Sequence, residues 1–359
     1  RMAVARKIVV GSPESQYVAD RIDAWAWAAI GWNTSQNLKV ARFGDNMRFV
    51  AVTDGDKVST QMKFGISIES YGVNTLVEAV AKVTDAAAAE LAAEYEATYE
   101  VVAELRAGGA RHDSLLYAAK QEIALLSILE AGGFKAFTSN FEDLGELRQL
   151  PGLAVQRLMA RGYGFGGEGD WKTSALGAIL KTMAPTVEGT SFMEDYTYHF
   201  GPGEAKVLGA HMLEVCPSIA GVRPRLEIHP LGIGDRDDPV RMVFDAAPGA
   251  GQVIALSDMG TRFRLVTNAI EVTEADEPLP NLPVARAVWK PMPSIETSAE
   301  SWIYAGGSHH TVLTKAVPLE ALRDFADIAQ VELLEIDAST DPYAFREKVR
   351  SNAAAYRLH

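Results

Sequence analysis

The sequence "RGYGFGGEGDWK", residues 161–172, places five glycines beside two acidic residues and decides how the first half of the chain is interpreted. Gly162, Gly164 and Gly167 match the G-x-G-x-x-G spacing of a dinucleotide-binding turn, which belongs after a strand and at the start of a helix. The preceding segment "GLAVQRLMAR" has helical spacing instead, and no acidic residue ends a second strand at the expected distance. We therefore expect that no nucleotide binds here. The glycines instead are expected to let the backbone approach a ligand closely.

The acidic residues of this stretch leave two interpretations open. Glu168 can present its carboxylate at the mouth of a cleft. Alternatively, Glu168 and Asp170 can complement the positive N-terminal end of the helix predicted over "WKTSALGAILKTM". The stretch taken alone favours the capping interpretation.

The segments around this stretch predict a doubly wound α/β sandwich in the first half of the chain, because strand patterns alternate with amphipathic helices. Strands are predicted at "KIVVG", "LKVARFGD" and "FVAVTDGDKV". The Ala, Glu and Leu content of residues 86–106 predicts a helix. Further helices are predicted at "SLLYAAKQEIALLSILEAGGF", "GLAVQRLMAR" and "ALGAILKTMAP".

The pattern changes after about residue 188, where short β-branched runs are separated by Gly, Pro and Asp. Such a series predicts a mostly antiparallel, barrel-like β domain. The closing segments "LEALRDFADIAQ" and "DPYAFREKVRSNAAAY" predict flanking helices, with "VELLEID" as a strand between them. The fold class is therefore α/β first and mostly β second.

Composition argues against several classes of partner. The net charge of 34 − 47 = −13 disfavours nucleic acid, which needs a clustered basic face. No apolar stretch approaches the about 20 residues needed to cross a bilayer, so no membrane partner is expected. The single cysteine, Cys216, excludes an intrachain disulfide framework and fits a reducing cytoplasm.

Another acidic cluster lies in "TSFMEDYTYHF", residues 190–200. The aromatic neighbours of Glu194 and Asp195 would partly desolvate a carboxylate and raise its pKa, which suits proton transfer. A surface loop with solvated acidic side chains is an equally good interpretation.

Histidines add a second set of candidates. His211 lies in "VLGAHMLEVCPS", and on a strand it would share a face with Gly209 and Leu213. His309 and His310 follow two glycines in "AGGSHHTV". A single histidine in a strand is more often part of a core, but two glutamates and two histidines together suit a divalent Mn, Co, Fe or Zn ion.

Several of these motifs resemble those of the L-arabinose isomerase family, and the match continues in order over nearly all 359 residues. They include "GYGFGGEGDWKT", "GTSFMEDYTYHF", "LGAHMLEVCPSIA", "LPVARAVWKP" and "AGGSHHT". The resemblance implies a metal-dependent aldose–ketose isomerase that interconverts L-arabinose and L-ribulose, and often D-galactose and D-tagatose, through an ene-diol. It also implies Mn²⁺ as cofactor, with Co²⁺ or Mg²⁺ as possible substitutes, and a cytoplasmic, trimer-based homohexamer.

The resemblance also implies the residues of the site. The metal ligands would be Glu168, Glu194, His211 and His310, and the two glutamates would share the proton transfer. The sugar pocket would include Met47, Phe141, Tyr196 and His309, and His309 is the alternative to His310 as a ligand.

The family has a further α/β domain ahead of the segment that matches "KIVVG". We therefore expect residues 1–38 to be a remnant of the N-terminal domain or a linker, residues 39–188 a central α/β domain, and residues 189–359 a C-terminal β-rich domain. The shorter chain suggests an alternative, a non-catalytic sugar-binding or assembly form of the same family. A nicotinamide-linked oxidoreductase is supported only by the glycine spacing.

Overall fold

A computed structural model describes residues 4–233 and 235–356. Its helices α1 to α10 span Gln16–Ser35, Lys57–Phe64, Val73–Lys82, Asp85–Thr98, His112–Gly132, Gly152–Ala160, Trp171–Thr182, Ile295–Ala305, Leu319–Ala329 and Pro342–Ala355. Its strands β1 to β14 span Lys39–Phe43, Ser67–Tyr71, Glu100–Val101, Ala136–Ser139, Gly164–Gly166, Thr190–His199, Lys206–Ala210, Arg225–Ile228, Val240–Val243, Gly249–Asp258, Phe263–Thr273, Ala287–Pro291, His310–Thr314 and Glu332–Ile336. None of the described helices is both long and apolar enough to cross a membrane.

The first half of the chain forms a parallel four-stranded sheet in the order β2-β1-β4-β5. Successive residues of its strands point to opposite faces. Val40 packs with α1 and α7 on one face, whereas Phe43 and Phe137 pack with α3 and α5 on the other. Helices therefore cover both faces, which confirms the predicted α/β sandwich.

The second half forms a closed antiparallel barrel of six strands. The strand order is β10-β13-β6-β7-β12-β11, and β11 pairs back with β10 along ten residues. The parallel strand β14 adds to β11 outside this ring. Side chains that fill the barrel include Met193, Val207, Val253, Trp289 and Leu313. This confirms the barrel-like domain with flanking helices.

Helix α7 lies between the sheet and the barrel. Each of its residues from Trp171 to Lys181 is buried, and it packs against β4 and β5 on one side and against β6, β10 and β13 on the other. A helix that is buried on all sides needs internal partners for any charge it carries. Lys172 Nζ donates to Val52 O at 2.9 Å and Lys181 Nζ donates to Thr190 O at 2.7 Å.

Three predicted elements are wrong. "KIVVG" forms no strand, and Lys7 instead forms ion pairs with Asp324 and Glu320 of α9. "FVAVTDGDKV" contains a short 3₁₀ turn at Ala51–Thr53 and the start of α2 rather than a strand, because Asp56 accepts from the Ser59 N–H and caps that helix. The helix predicted over residues 86–106 ends at Thr98, and the chain then enters β3 beside β8.

A substitution in the barrel interior tests the packing of the barrel core. In Gly209→Ala the new Cβ would lie 2.0 Å from a ring carbon of Trp289, so we expect the free energy of unfolding to fall by about 1–3 kcal/mol. Denaturant unfolding followed by tryptophan fluorescence measures this change. The matched control is Gly232→Ala, because a Cβ there meets no described atom within 4 Å. Equal stability of both variants would contradict the packing at Gly209.

Candidate active site

Three of the predicted site residues follow the carboxyl ends of adjacent parallel strands. Met47 lies beyond β1, Phe141 beyond β4 and Glu168 beyond β5. In open α/β sheets, ligands bind outside the carboxyl ends of strands, where the strand order reverses. Here β2 and β4 lie on opposite sides of β1, so this edge is the expected position for a site.

The backbone at Glu168 is held in an unusual conformation. Its φ of 61° is left-handed, which is uncommon for a residue other than glycine and typical of functional loops. The loop is fixed by three hydrogen bonds: Met47 N–H donates to Glu168 O at 2.9 Å, Gly169 N–H to Ser139 O at 3.1 Å, and Asn46 Nδ2 to Gly169 O at 3.0 Å. The left-handed backbone of Glu168 is therefore held by the loop that follows β1 and by the last residue of β4.

Barrel strands bring the histidine pair to the same place. His310 begins β13 and pairs directly with Glu194 of β6. The Nε2 atoms of His309 and His310 lie 3.7 and 3.8 Å from Glu168 Oε2. One ligand atom from each of Glu168, His309 and His310 lies within 4.8 Å of the others, a spacing that can hold a metal ion.

Two atoms of this cluster are buried and unsatisfied. Glu168 Oε2 and His310 Nε2 have no hydrogen-bond partner among the residues that the structure describes. Buried polar atoms are nearly always paired, so each such exception needs an explanation. A divalent ion fits, because an imidazole nitrogen and a carboxylate oxygen are both ligands of Mn²⁺, Co²⁺ or Zn²⁺.

His211 reaches this cluster because its strand ends before it. On a continuing strand His211 would share the face of Gly209, which points toward Trp289 inside the barrel. β7 ends at Ala210 instead, and the His211 ring lies 5.0 Å from the Phe192 ring and 5.6 Å from the His310 ring. The ring thus lies with the cluster and not in the barrel core.

The titratable groups of the site change one another's pKa values. Burial alone would raise the pKa of Glu168, but His309, His310 and His211 outweigh it and the pKa is lowered. Burial alone would lower the pKa of His211, but Glu214 above all, then Glu194 and Glu168, raise it. Burial lowers the pKa of His310 despite the nearby Asp170 carboxylate. The glutamate therefore stays ionised at neutral pH.

The two acidic residues of the glycine stretch have separate roles. Asp170 is the N-cap of α7, where its side chain accepts from Thr173 N–H, and Glu168 is not a cap. Strand β5 lies inside the glycine run, so a strand does precede α7, contrary to the expectation from "GLAVQRLMAR". The carboxylate at the cap occupies the position where a phosphate would bind, which disfavours a nucleotide.

The other predicted residues lie around this cluster at different distances. Glu194 and His211 lie outside the group of ligand atoms within 4.8 Å. Phe141, Glu168 and His211 line one small cavity. Tyr196 lies on β6 beyond Glu194 and is 49 % exposed. Met47 contacts the backbone of Glu168, because its N–H donates to Glu168 O.

Sequence reasoning missed one buried carboxylate, that of Glu214. Glu214 Oε2 lies 2.6 Å from His211 Nδ1, and the three-residue interval between them is a local signal that could have found the pair. Asp195 accepts from Tyr198 Oη–H at 2.6 Å, and burial raises its pKa to about 6. The raised pKa expected for a carboxylate of this segment is therefore found at Asp195, and the irregularity of β6 that separates Asp195 from Glu194 is not visible in the sequence.

Comparison with known proteins gives the family. Residues 39–186 match the model of the L-arabinose isomerase central domain, and residues 189–332 match that of the L-arabinose isomerase C-terminal domain. The chain belongs to the L-arabinose isomerase family. This confirms the resemblance and the prediction of an isomerase.

Relatives in this family align with the whole chain. The L-arabinose isomerase of Clavibacter sepedonicus is 58 % identical over 359 residues, which is all of this chain and 71 % of the relative. The one from Mycolicibacterium smegmatis is 56 % identical over the same length and 72 % of the relative. The one from Geobacillus stearothermophilus is 51 % identical over 357 residues, 99 % of this chain and 72 % of the relative.

The approach of His211 to the Glu168 loop can be tested at Gly167. A Cβ at this position would lie 2.7 Å from His211 Cε1 and 2.8 Å from Nε2. We expect Gly167→Ala to displace the ring and lower kcat/KM for L-arabinose by about 100-fold, since a misplacement of about 1 Å has that effect.

The control is Gly177→Ala within α7, where the nearest atom to the new Cβ is 3.6 Å away. That variant is expected to keep wild-type activity. Wild-type kcat/KM in Gly167→Ala would contradict the placement of His211.

Proposed function

We propose that the chain interconverts L-arabinose and L-ribulose, and also D-galactose and D-tagatose, at a metal site formed by Glu168, Glu194, His211 and His310. The observation that carries the proposal is the pair of buried, unpartnered atoms Glu168 Oε2 and His310 Nε2, 3.8 Å apart. The names of the relatives support the first sugar pair. The non-catalytic alternative is not favoured.

The ligand set favours Mn²⁺ or Co²⁺ over Mg²⁺. Two carboxylates and two imidazoles offer mixed oxygen and nitrogen ligands, whereas Mg²⁺ prefers oxygen alone. Such a set leaves coordination positions for two sugar oxygens. When bound, a divalent ion would polarise the oxygens at C1 and C2 of the open-chain sugar and stabilise the negative charge that develops there.

The chain itself supplies the proton transfer between C1 and C2. The lowered pKa of Glu168 keeps its carboxylate ionised and able to accept a proton. Glu194 lies half-buried beside His310 and is the second candidate for this transfer. We propose that the two share the work. One removes the C–H proton at C2 and returns it to C1, and the other moves a proton from the C2 hydroxyl to the oxygen at C1, so that an ene-diol forms between the two carbon proton transfers. Met47, Phe141, Tyr196 and His309 would line the sugar pocket.

We also propose that the chain consists of three parts, residues 1–38, 39–188 and 189–359. Six copies of the chain would assemble into a cytoplasmic, trimer-based homohexamer. Support for assembly comes from large apolar side chains exposed on α1, where Tyr17, Ile22 and Ile30 are 57, 54 and 44 % exposed. Exposed apolar side chains of this size can be covered in an interface between copies of the chain. The buried Cys216 fits a reducing compartment.

Substitution of the two glutamates tests the proton transfer. Glu168→Gln and Glu194→Gln keep the shape of each side chain but remove its basicity, so we expect kcat to fall by at least 10²–10⁴-fold. The measurement is ketose formation from L-arabinose with saturating Mn²⁺.

The control for both variants is Glu188→Gln, an exposed glutamate close in sequence, which is expected to keep wild-type kcat. Circular dichroism melting curves check that every variant folds. Near-normal kcat in both site variants would rule out this assignment.

The pH dependence of metal binding tests the imidazole ligands. A protonated imidazole cannot bind a metal ion, and the pKa of His211 is raised above its usual value of about 6.5. We therefore expect Mn²⁺ affinity to be full above the raised pKa of His211, to weaken as the pH falls through it, and to be largely lost near pH 5.

Glu168 does not add to this loss over the same range, because its pKa is lowered and its carboxylate stays ionised. Isothermal titration calorimetry at several pH values measures the affinity. A constant Mn²⁺ affinity down to pH 5 would count against His211 as a ligand, whereas His310, whose pKa is lowered, stays neutral to lower pH and is not tested by this titration.

A further inference from the structure

Both candidate histidine ligands have a buried carboxylate on the same ring nitrogen. His310 Nδ1 lies 3.1 Å from Asp170 Oδ2, and His211 Nδ1 lies 2.6 Å from Glu214 Oε2. Asp170 is 1 % exposed and Glu214 is 5 % exposed, so water does not compete for these contacts. The second nitrogen of each ring, Nε2, is directed elsewhere.

In both rings Nε2 faces the Glu168 loop. His310 Nε2 is 3.8 Å from Glu168 Oε2, and His211 Nε2 lies 2.8 Å from the position that a Cβ on Gly167 would take. The carboxylate contacts are therefore on the far side of each ring from the candidate metal position. The two pairs share one arrangement although they come from different parts of the chain.

The contacts determine which nitrogen carries the hydrogen. An ionised carboxylate only accepts hydrogen bonds, so Nδ1 is the donor in both rings. A neutral imidazole has a single N–H, and Nε2 then carries a lone pair. The opposite tautomer would direct an N–H toward Glu168 and could not bind a cation.

We propose that Asp170 and Glu214 are positioning residues that hold His310 and His211 in the tautomer and ring orientation that a metal ion at this site requires. The proposal rests on the proposed function for the identity of the bound ion. The tautomers are a property of the chain alone and can be measured without a metal.

Each carboxylate is itself held by a backbone N–H group. Asp170 Oδ1 accepts from Thr173 N–H at 3.0 Å, and Asp170 Oδ2 also accepts from the Thr173 hydroxyl at 2.8 Å. Glu214 Oε2 accepts from Leu213 N–H at 3.0 Å. The orientation of His310 is therefore tied to the first turn of α7, and that of His211 to the turn after β7.

The first test is nuclear magnetic resonance of metal-free protein with ¹⁵N-labelled histidine, at about pH 8.5, two units above the usual imidazole pKa. Long-range ¹H–¹⁵N correlations identify the protonated nitrogen. We expect His211 and His310 both to be Nδ1–H in the wild type. In Asp170→Asn we expect the fraction of the Nε2–H tautomer to rise for His310 alone. In Glu214→Gln we expect it to rise for His211 alone. An Nε2–H ring at either position in the wild type would overturn the proposal.

The second test is Mn²⁺ titration of the same variants. Loss of a partner of this kind costs about 10–100-fold in metal affinity, and we expect that range for both variants. The KM for L-arabinose at saturating Mn²⁺ is expected to stay within twofold of wild type. Unchanged Mn²⁺ affinity in both variants with a raised KM would instead assign the carboxylates to the substrate and overturn the proposal.

Two control variants separate positioning from general structure. Asp341→Asn changes the N-cap of α10, where Asp341 accepts from Ala344 N–H, and asparagine keeps this capping function. Glu227→Gln changes another glutamate–histidine pair, Glu227 and His229, whose atoms are also 2.6 Å apart but lie on and just beyond β8. Both controls are expected to keep wild-type Mn²⁺ affinity.

The two proposals fail in different ways. A wild-type chain that binds no Mn²⁺ would reject the proposed metal dependence, and the wild-type tautomers would then decide the present proposal alone. Wild-type Mn²⁺ binding with both rings in the Nε2–H form would reject the positioning role and leave the proposed function intact.

Discussion

Helix α7 is buried between the parallel sheet and the outer surface of the barrel, and this packing fixes the two halves of the site relative to each other. Glu168 enters from the sheet side, three residues before the helix begins, whereas His310 and Glu194 belong to barrel strands on the other side. Because α7 touches both layers, a shift of this helix would move the carboxylate away from the imidazoles. Asp170 makes the link direct, since it caps α7 and also contacts His310.

The conformation of the Glu168 loop stores free energy that the surrounding contacts must supply. A left-handed residue other than glycine costs about 1–3 kcal/mol, and burial of a carboxylate adds a desolvation penalty. Backbone hydrogen bonds to Met47 and Ser139 hold the loop, and three histidines lower the pKa of the carboxylate. The result is an ionised carboxylate held in place beside imidazole nitrogens, an arrangement suited to a cation.

Local patterns predicted much of the secondary structure, because their determinants lie close together in the chain. The helix at His112–Gly132 and the closing helix at Pro342–Ala355 match their predicted segments to within a few residues. "KIVVG" has the composition of a strand but forms none, and pairs through Lys7 with α9. "FVAVTDGDKV" also has a strand pattern but forms none, because Asp56, through a local contact, caps helix α2 within it.

The sequence by itself determined the order of the two architectures, the family and the residue types available for chemistry, since these follow from local patterning and from long motifs. It left open whether His211 belongs to a core or to a site, and whether Glu168 is a cap or a ligand. Tertiary structure places the His211 ring beside His310, because β7 ends at Ala210, and shows that Glu168 is not the cap, because the cap of α7 is Asp170. It also produced the contacts of His310 with Asp170 and of Glu168 with both histidines, across about 140 residues of chain. Closure of a barrel against a sheet brings such distant residues together, and no local pattern encodes it.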